Sequence, residues 1–190
     1  FNSNSKFDIE EIDIEIFRQL KIDELLKSKN LLKKINSKNE INFSSKKFSR
    51  SFFDKLNLKF DLAYGRLNYS KKFFISDDVF QCKGSINLLE EFPLLFFDCS
   101  INSNKKRNFL KKFNIDIKKD NKSLILNAKG NINILNRKIN FKDISLDESY
   151  KASNEDLDYF KKSFENILFN GDFVEIFNLN KIKEFIFEIS

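Results

Sequence analysis

The chain has 190 residues, 41% hydrophobic and 33% charged, with a formal net charge of +6. That balance suits one or two folded domains with a sizeable core and excludes a chain disordered in bulk. His, Met, Trp and Thr are absent and Cys numbers two. His-based triads, His-containing zinc sites and a disulfide-rich secreted framework are therefore excluded.

Lys, Asn, Ile and Phe are abundant. Their codons are rich in A and T, so much of the Lys excess reflects base composition rather than selection for an anionic partner. Phe1 stands where an initiator Met would, which points to a segment of a longer chain or a processed product. The longest apolar run, FPLLFF at 92–97, is strand-sized, well short of the roughly 20 residues of a spanning helix. The N-terminus has no secretory signal pattern.

In chain order, EIDIEIF (11–17) alternates like a strand, with Ile12, Ile14 and Ile16 on one side. IDELLKSKNLLKKI (22–35) reads as a helix, with Asp23 as a cap and Leu26, Leu32 and Ile35 among its apolar positions. The polar, basic SKNEINFSSKKFSRS that follows reads as a loop or a short edge element. From residue 55 the pattern is β. LNLKFDLAY sets Leu56, Leu58, Phe60, Leu62 and Tyr64 on one face, and Gly65 with the polar 66–72 stretch turns the chain. Residues 73–75 and 79–89 are extended, with Phe80, Cys82, Ile86 and Leu88 sharing a face. Leu95, Phe97, Cys99 and Ile101 continue that face. So do Leu124, Leu126, Ala128, Ile132 and Ile134, then Ile139 and Phe141. Period-two alternation of this kind describes an antiparallel meander with one apolar and one polar face.

Helices are expected over 102–113 and over 153–169. The second opens on a capping-box-like Ser153 and Asp156, and Gly171 ends it. NLNKIKEFIFEI (178–189) is a last amphipathic stretch, presenting Leu179, Ile182, Phe185, Ile186 and Ile189. The fold class expected is α+β: repeated antiparallel hairpins forming a curved sheet or groove, with flanking and C-terminal helices. Three regions follow: 1–50, mixed helix and strand with a basic loop; 51–150, repeated hairpins with a short helix near 103–113; and 151–190, helical.

KGSINLL (83–89) recurs as KGNINIL (129–135), and FDCSI (97–101) is echoed by KDISL (142–146). The match includes a rare Gly and spans both strands of each unit, which argues for structural repetition over chance in this restricted alphabet. Centring the first turn between Glu90 and Glu91 opposes Ile86 to Leu95, Gly84 to Phe97, Cys82 to Cys99 and Phe80 to Ile101. Lys83 then meets Asp98 on the other face. The second copy carries Ala128 and Ile144 where the first has its cysteines. The thiols therefore read as small apolar residues, with a Cys82–Cys99 cross-strand disulfide as the alternative.

No catalytic constellation emerges. Neither Cys has a CxxC partner or an activating His, and the four glycines stand alone, without a phosphate-cradling loop. Asp77–Asp78 reads as a turn, and Glu155, Asp156 and Asp158 read as helix N-terminal charge rather than a metal site. The basic doublets Lys71–Lys72, Lys105–Lys106–Arg107, Lys111–Lys112 and Lys118–Lys119 read as solvated faces. Nucleic acid is disfavoured as a partner, because the Phe residues fall on apolar faces instead of basic, exposed strand positions.

The run NFSSKKF…FDKLNLKFDLAYGRLNYSKKFFISDDVFQCKGSINLLEEFPLLFFDCSINSNKKRNFLKKFNI, with LILNAKGNINILNRKINFKDISLDESYKASNEDLDYFKKSFENILF, resembles the AsmA-like family of Gram-negative envelope proteins. The likeness lies in successive short amphipathic strands, the KGNINILNRKINF hairpin and the acidic-capped helix, over about residues 45–170. The resemblance implies a non-enzymatic segment of a longer membrane-anchored chain at the periplasmic face of the inner membrane, similar in build to bridge-like lipid transfer proteins. It implies phospholipid acyl chains as partners and no cofactor. The apolar face, as groove or core, is assigned to Leu58, Phe60, Leu62, Phe80, Ile86, Leu95, Phe97, Leu126, Ile132, Ile134, Ile139 and Phe141. Two other readings stand beside it: a basic nucleic-acid-binding or ribosome-associated domain, and a purely structural envelope repeat.

Overall fold

The computed structural model describes residues 1–10, 22–45, 54–75, 77–113, 115, 122–147, 149–170 and 179–188. Among these residues nine strands form one open sheet in strict chain order: β1 (Asn2–Ile9), β2 (Asn36–Ser44), β3 (Lys55–Ala63), β4 (Arg66–Ile75), β5 (Asp78–Asn87), β6 (Leu94–Ser103), β7 (Leu124–Asn133), β8 (Lys138–Leu146) and β9 (Tyr150–Lys151). β1 runs parallel to β2 and every later pair is antiparallel. The helices are short: α1 (Ile22–Lys27), α2 (Lys29–Leu32), α3 (Lys106–Lys112), α4 (Asn154–Leu168) and α5 (Leu179–Glu188). The fold is α+β and mostly β, a hairpin meander as the alternation predicts.

The β5–β6 register matches the sequence expectation: Cys82 pairs with Cys99, Gly84 with Phe97, Phe80 with Ile101 and Lys83 with Asp98. The repeat has a physical basis at four positions. Lys83 and Lys129 flank Asp98 from either side, with Nζ–O distances of 3.9 and 3.5 Å. Ile86 and Ile132 are both buried core residues. Asn87 and Asn133 each accept a turn amide on their Oδ1, from Leu89 at 3.2 Å and from Leu135 at 3.1 Å, the short-range bonding that suits Asn to turns.

The fourth position is the glycine. Phe60, Tyr69, Gly84, Phe97, Gly130 and Phe141 form one cross-sheet row. A Cβ on Gly84 would come 2.8 Å from the Tyr69 ring, and one on Gly130 would come 2.8 Å from Cζ of Phe97. Each glycine thus lies beneath an aromatic ring from the preceding strand, an arrangement that fills the space a glycine leaves in a sheet. Phe97 and Phe141 meet edge to face across Gly130, with centroids 6.0 Å apart.

Several expectations are corrected. The polar 66–72 stretch does not turn the chain but is the first part of β4; Tyr64 and Gly65 alone make the turn, at φ 50° and 80°. A type I′ two-residue hairpin turn has positive φ at both positions, so Tyr64 leaves the apolar face and stands in solvent. Residues 36–44 are no loop or edge element: β2 lies between β1 and β3, with Phe43 buried and paired to Leu56. β1 itself was hidden because NSNSKFDI carries hardly any alternation. The helix expected over 22–35 is split at Ser28, whose hydroxyl donates to the Glu24 carbonyl at 3.2 Å, a back-bond that bends helices. Cys82 and Cys99 are joined as a disulfide, with Cα atoms 4.0 Å apart, so the alternative reading of the pair is the one observed.

The capping box of α4 forms as expected. Ser153 Oγ accepts from Asp156 N at 3.2 Å while Ser153 N donates to Asp156 Oδ2 at 2.9 Å, satisfying two amides that the helix start leaves orphaned. Strand-like 11–17, Lys118–Lys119, Gly171 and Ile189 lie outside the described residues.

Candidate functional site

The pairing registers put the apolar side chains on one side of the sheet. From β2 to β8 one cross-sheet row reads Ile41, Leu58, Lys71, Cys82, Cys99, Ala128 and Ile144. Others read Leu56, Phe73, Phe80, Ile101, Leu126 and Leu146, or Leu62, Leu67 and Ile86.

Two buried clusters occupy this face. In the first, Leu26 and Leu32 of α1 and α2 and Phe169 just beyond α4 bury Ile86, Leu88, Ile132, Ile134 and Ile139; Leu62, Leu95, Phe97 and Phe141 pack at its margin. Ile139 retains 2% of its exposure. In the second, Phe109, Leu110 and Phe113 around α3 join Leu124, with Phe80, Ile101, Ile182 and Ile186 against them. Phe164 of α4 meets Phe185 of α5 with ring centroids 5.3 Å apart, tying the two helices together. Of the twelve face residues expected, Ile86, Ile132, Ile134 and Ile139 lie within buried core, and Leu62, Phe80, Leu95, Phe97 and Phe141 at its edge. Leu58, Phe60 and Leu126 belong to neither cluster and are half-buried, as are Ile41 and Leu56 beside them.

Within the β3–β4 part of this face sits a residue the sequence reading missed. Lys71 was read with Lys72 as an exposed basic doublet; in β4 the two point to opposite faces, and Lys71 takes an apolar slot between Leu58 and Cys82. The signal was available, since Leu67, Tyr69 and Phe73 set the period that Lys71 interrupts. Lys71 has no ion pair or hydrogen bond to a described residue. Burial pushes its ammonium below the ordinary lysine range, because a poorly solvated site disfavours the charged form. Next to it, Tyr69 Oη donates to the Phe96 carbonyl at 3.4 Å and lies 3.9 Å from the Cys82 sulfur. Burial pushes the Tyr69 phenol up to about 12.

The opposite face is polar. One row alternates Lys6, Glu40, Lys59, Ser70, Lys83, Asp98, Lys129 and Asp143. Lys59 reaches Glu40 at 3.6 Å and Lys151 reaches Asp143 at 3.3 Å. Asn57 Nδ2 donates to Glu40 and Asn42, at 3.0 and 2.6 Å. Here a second correction arises: not every Phe lies on the apolar face. Phe96 is on the polar side with 43% of its surface exposed, Lys142 Nζ lies 5.7 Å from its ring centroid, and Phe74 sits 5.2 Å from Lys72 Nζ. Lys83 and Lys129 line the same shallow recess as Phe96.

Among the described residues no helix is long and apolar enough to cross a membrane, and no group of three His, Cys, Asp or Glu side chains is placed to hold a metal ion. No family model, curated protein or solved structure matches the chain.

Proposed function

We propose that this chain is a non-enzymatic segment of an AsmA-like envelope protein, whose apolar β-face forms a groove supporting phospholipid transport or outer-membrane assembly at the periplasmic side of the inner membrane. The observation that carries the reading is one continuous apolar face from β2 to β8 that the described helices cover over only part of its width. Over β5–β8 it packs against the chain's own helices, while Ile41, Leu56, Leu58 and Phe60 on β2 and β3 belong to neither buried cluster. An open sheet in strict chain order also extends by adding further hairpins at an edge, as a longer chain of the same pattern requires. The Cys82–Cys99 disulfide suits an oxidising compartment. Native mass spectrometry of the purified chain tests the reading: co-purifying phospholipid is expected, and a lipid-free protein that takes up none from vesicles would overturn it.

The basic polar face favours a second reading. Phe96 is an exposed aromatic among Lys83, Lys129 and Lys142, the combination on which single-stranded nucleic acid stacks. A salt-dependent gel shift with single-stranded RNA or DNA supports that reading, and no binding at about 50 mM salt removes it.

A further inference from the structure

We propose that Lys71 anchors the headgroup of a net-anionic phospholipid, so that the groove discriminates anionic from zwitterionic lipids. The inference rests on the lipid-facing reading and supplies its headgroup chemistry. Lys71 lies in the row Ile41, Leu58, Lys71, Cys82, with Tyr69 and Phe73 as its neighbours along β4. On the same side of β4, the Tyr69 hydroxyl donates to a backbone carbonyl. No carboxylate of a described residue pairs with the ammonium. An ammonium drawn out of water without a counter-charge is costly, and an anion placed beside it removes the cost.

The surroundings dictate what kind of anion fits. A free phosphate would itself be desolvated against Leu58 and Phe73, whereas an amphiphile brings an acyl chain that covers Leu56, Leu58 and Phe60 as its phosphate meets Lys71. A net-anionic headgroup neutralises the site. A zwitterionic headgroup carries its own ammonium and leaves one positive charge uncompensated.

The test loads the delipidated full chain from vesicles containing equal phosphatidylglycerol and phosphatidylethanolamine with identical acyl chains, and counts each bound lipid by native mass spectrometry. The wild type is expected to favour phosphatidylglycerol about tenfold, the worth of one charge-assisted contact. Lys71→Gln abolishes the preference while still binding lipid, and Lys71→Arg retains it. Equal loading of the two lipids on the wild type overturns the role of Lys71 with the groove intact. Binding of neither lipid overturns the groove reading itself, and the proposal with it. The wild-type comparison needs no variant, so it stands even if a substitution impairs folding.

Discussion

Placing alanine at Gly130 tests whether the repeated KG motif is structural or a product of composition. A Cβ there would collide with the Asn140 carbonyl oxygen and lie 2.8 Å from Cζ of Phe97. The ring can rotate away, but the carbonyl belongs to the paired strand β8 and can retreat only by distorting the ladder. Overpacking of a fixed environment costs about 1–3 kcal/mol. Alanine recovers about 0.5–1 kcal/mol of the backbone entropy that glycine loses in a strand. The net loss is about 1 kcal/mol, a noticeable share of the stability of a marginal fold. With a urea m-value of about 2 kcal/mol/M, the unfolding midpoint falls by about 0.5 M. Gly84→Ala follows the same pattern, since its Cβ would meet the Phe96 carbonyl oxygen and the Tyr69 ring. The two losses will not sum cleanly, because Phe97 lies between both glycines in the row. Ser85→Ala, on the polar face, is the control and should move the midpoint by less than about 0.3 M. A Gly130→Ala midpoint equal to or above wild type would falsify the aromatic-over-glycine account and return the repeat to chance.

Three further outcomes are expected. Reducing the Cys82–Cys99 disulfide, which closes a sequence separation of 17, should cost about 3 kcal/mol by loop entropy; identical urea curves with and without dithiothreitol would contradict this. Ser153→Ala removes the capping-box acceptor for the Asp156 amide and should lose about 1 kcal/mol, read as a lower thermal midpoint. Lys71→Met should raise the thermal midpoint at pH 7, because it removes a charge that burial disfavours. The sign with pH follows from the lowered folded-state proton affinity of Lys71, against its ordinary value of 10.5 when unfolded. Between those two values the unfolded state binds more protons, so the wild type gains stability as pH rises. The advantage of Lys71→Met must therefore shrink toward pH 10.5, and an advantage that grows with pH would contradict the assignment.

The residues fixed their own neighbours wherever alternation was clean. Leu56 to Leu62, Phe80 to Leu88 and Leu124 to Ile134 each announce a strand and a buried side, because a one-residue slip would put every one of them in water. The turn at Glu90–Glu91 then sets the hairpin register, and Ser153 with Asp156 writes a helix start in local hydrogen bonds. These features depend on chain neighbours alone, so they are legible without coordinates.

Other features required the assembled sheet. Lys71 in an apolar slot makes β4 look like a polar turn, and only pairing on both sides holds that stretch extended. β1, with little alternation of its own, is a strand because β2 offers it an edge. Whether Cys82 and Cys99 bond was also tertiary: alternation put them on one face, but only the strands' approach brings their Cα atoms to 4.0 Å. Which apolar residues become core was decided last. Ile139 and Leu58 look alike in sequence, yet the one is buried within a helix-capped cluster and the other lies outside both clusters. Cover comes from helices distant in the chain, and no periodicity within a strand encodes where they dock.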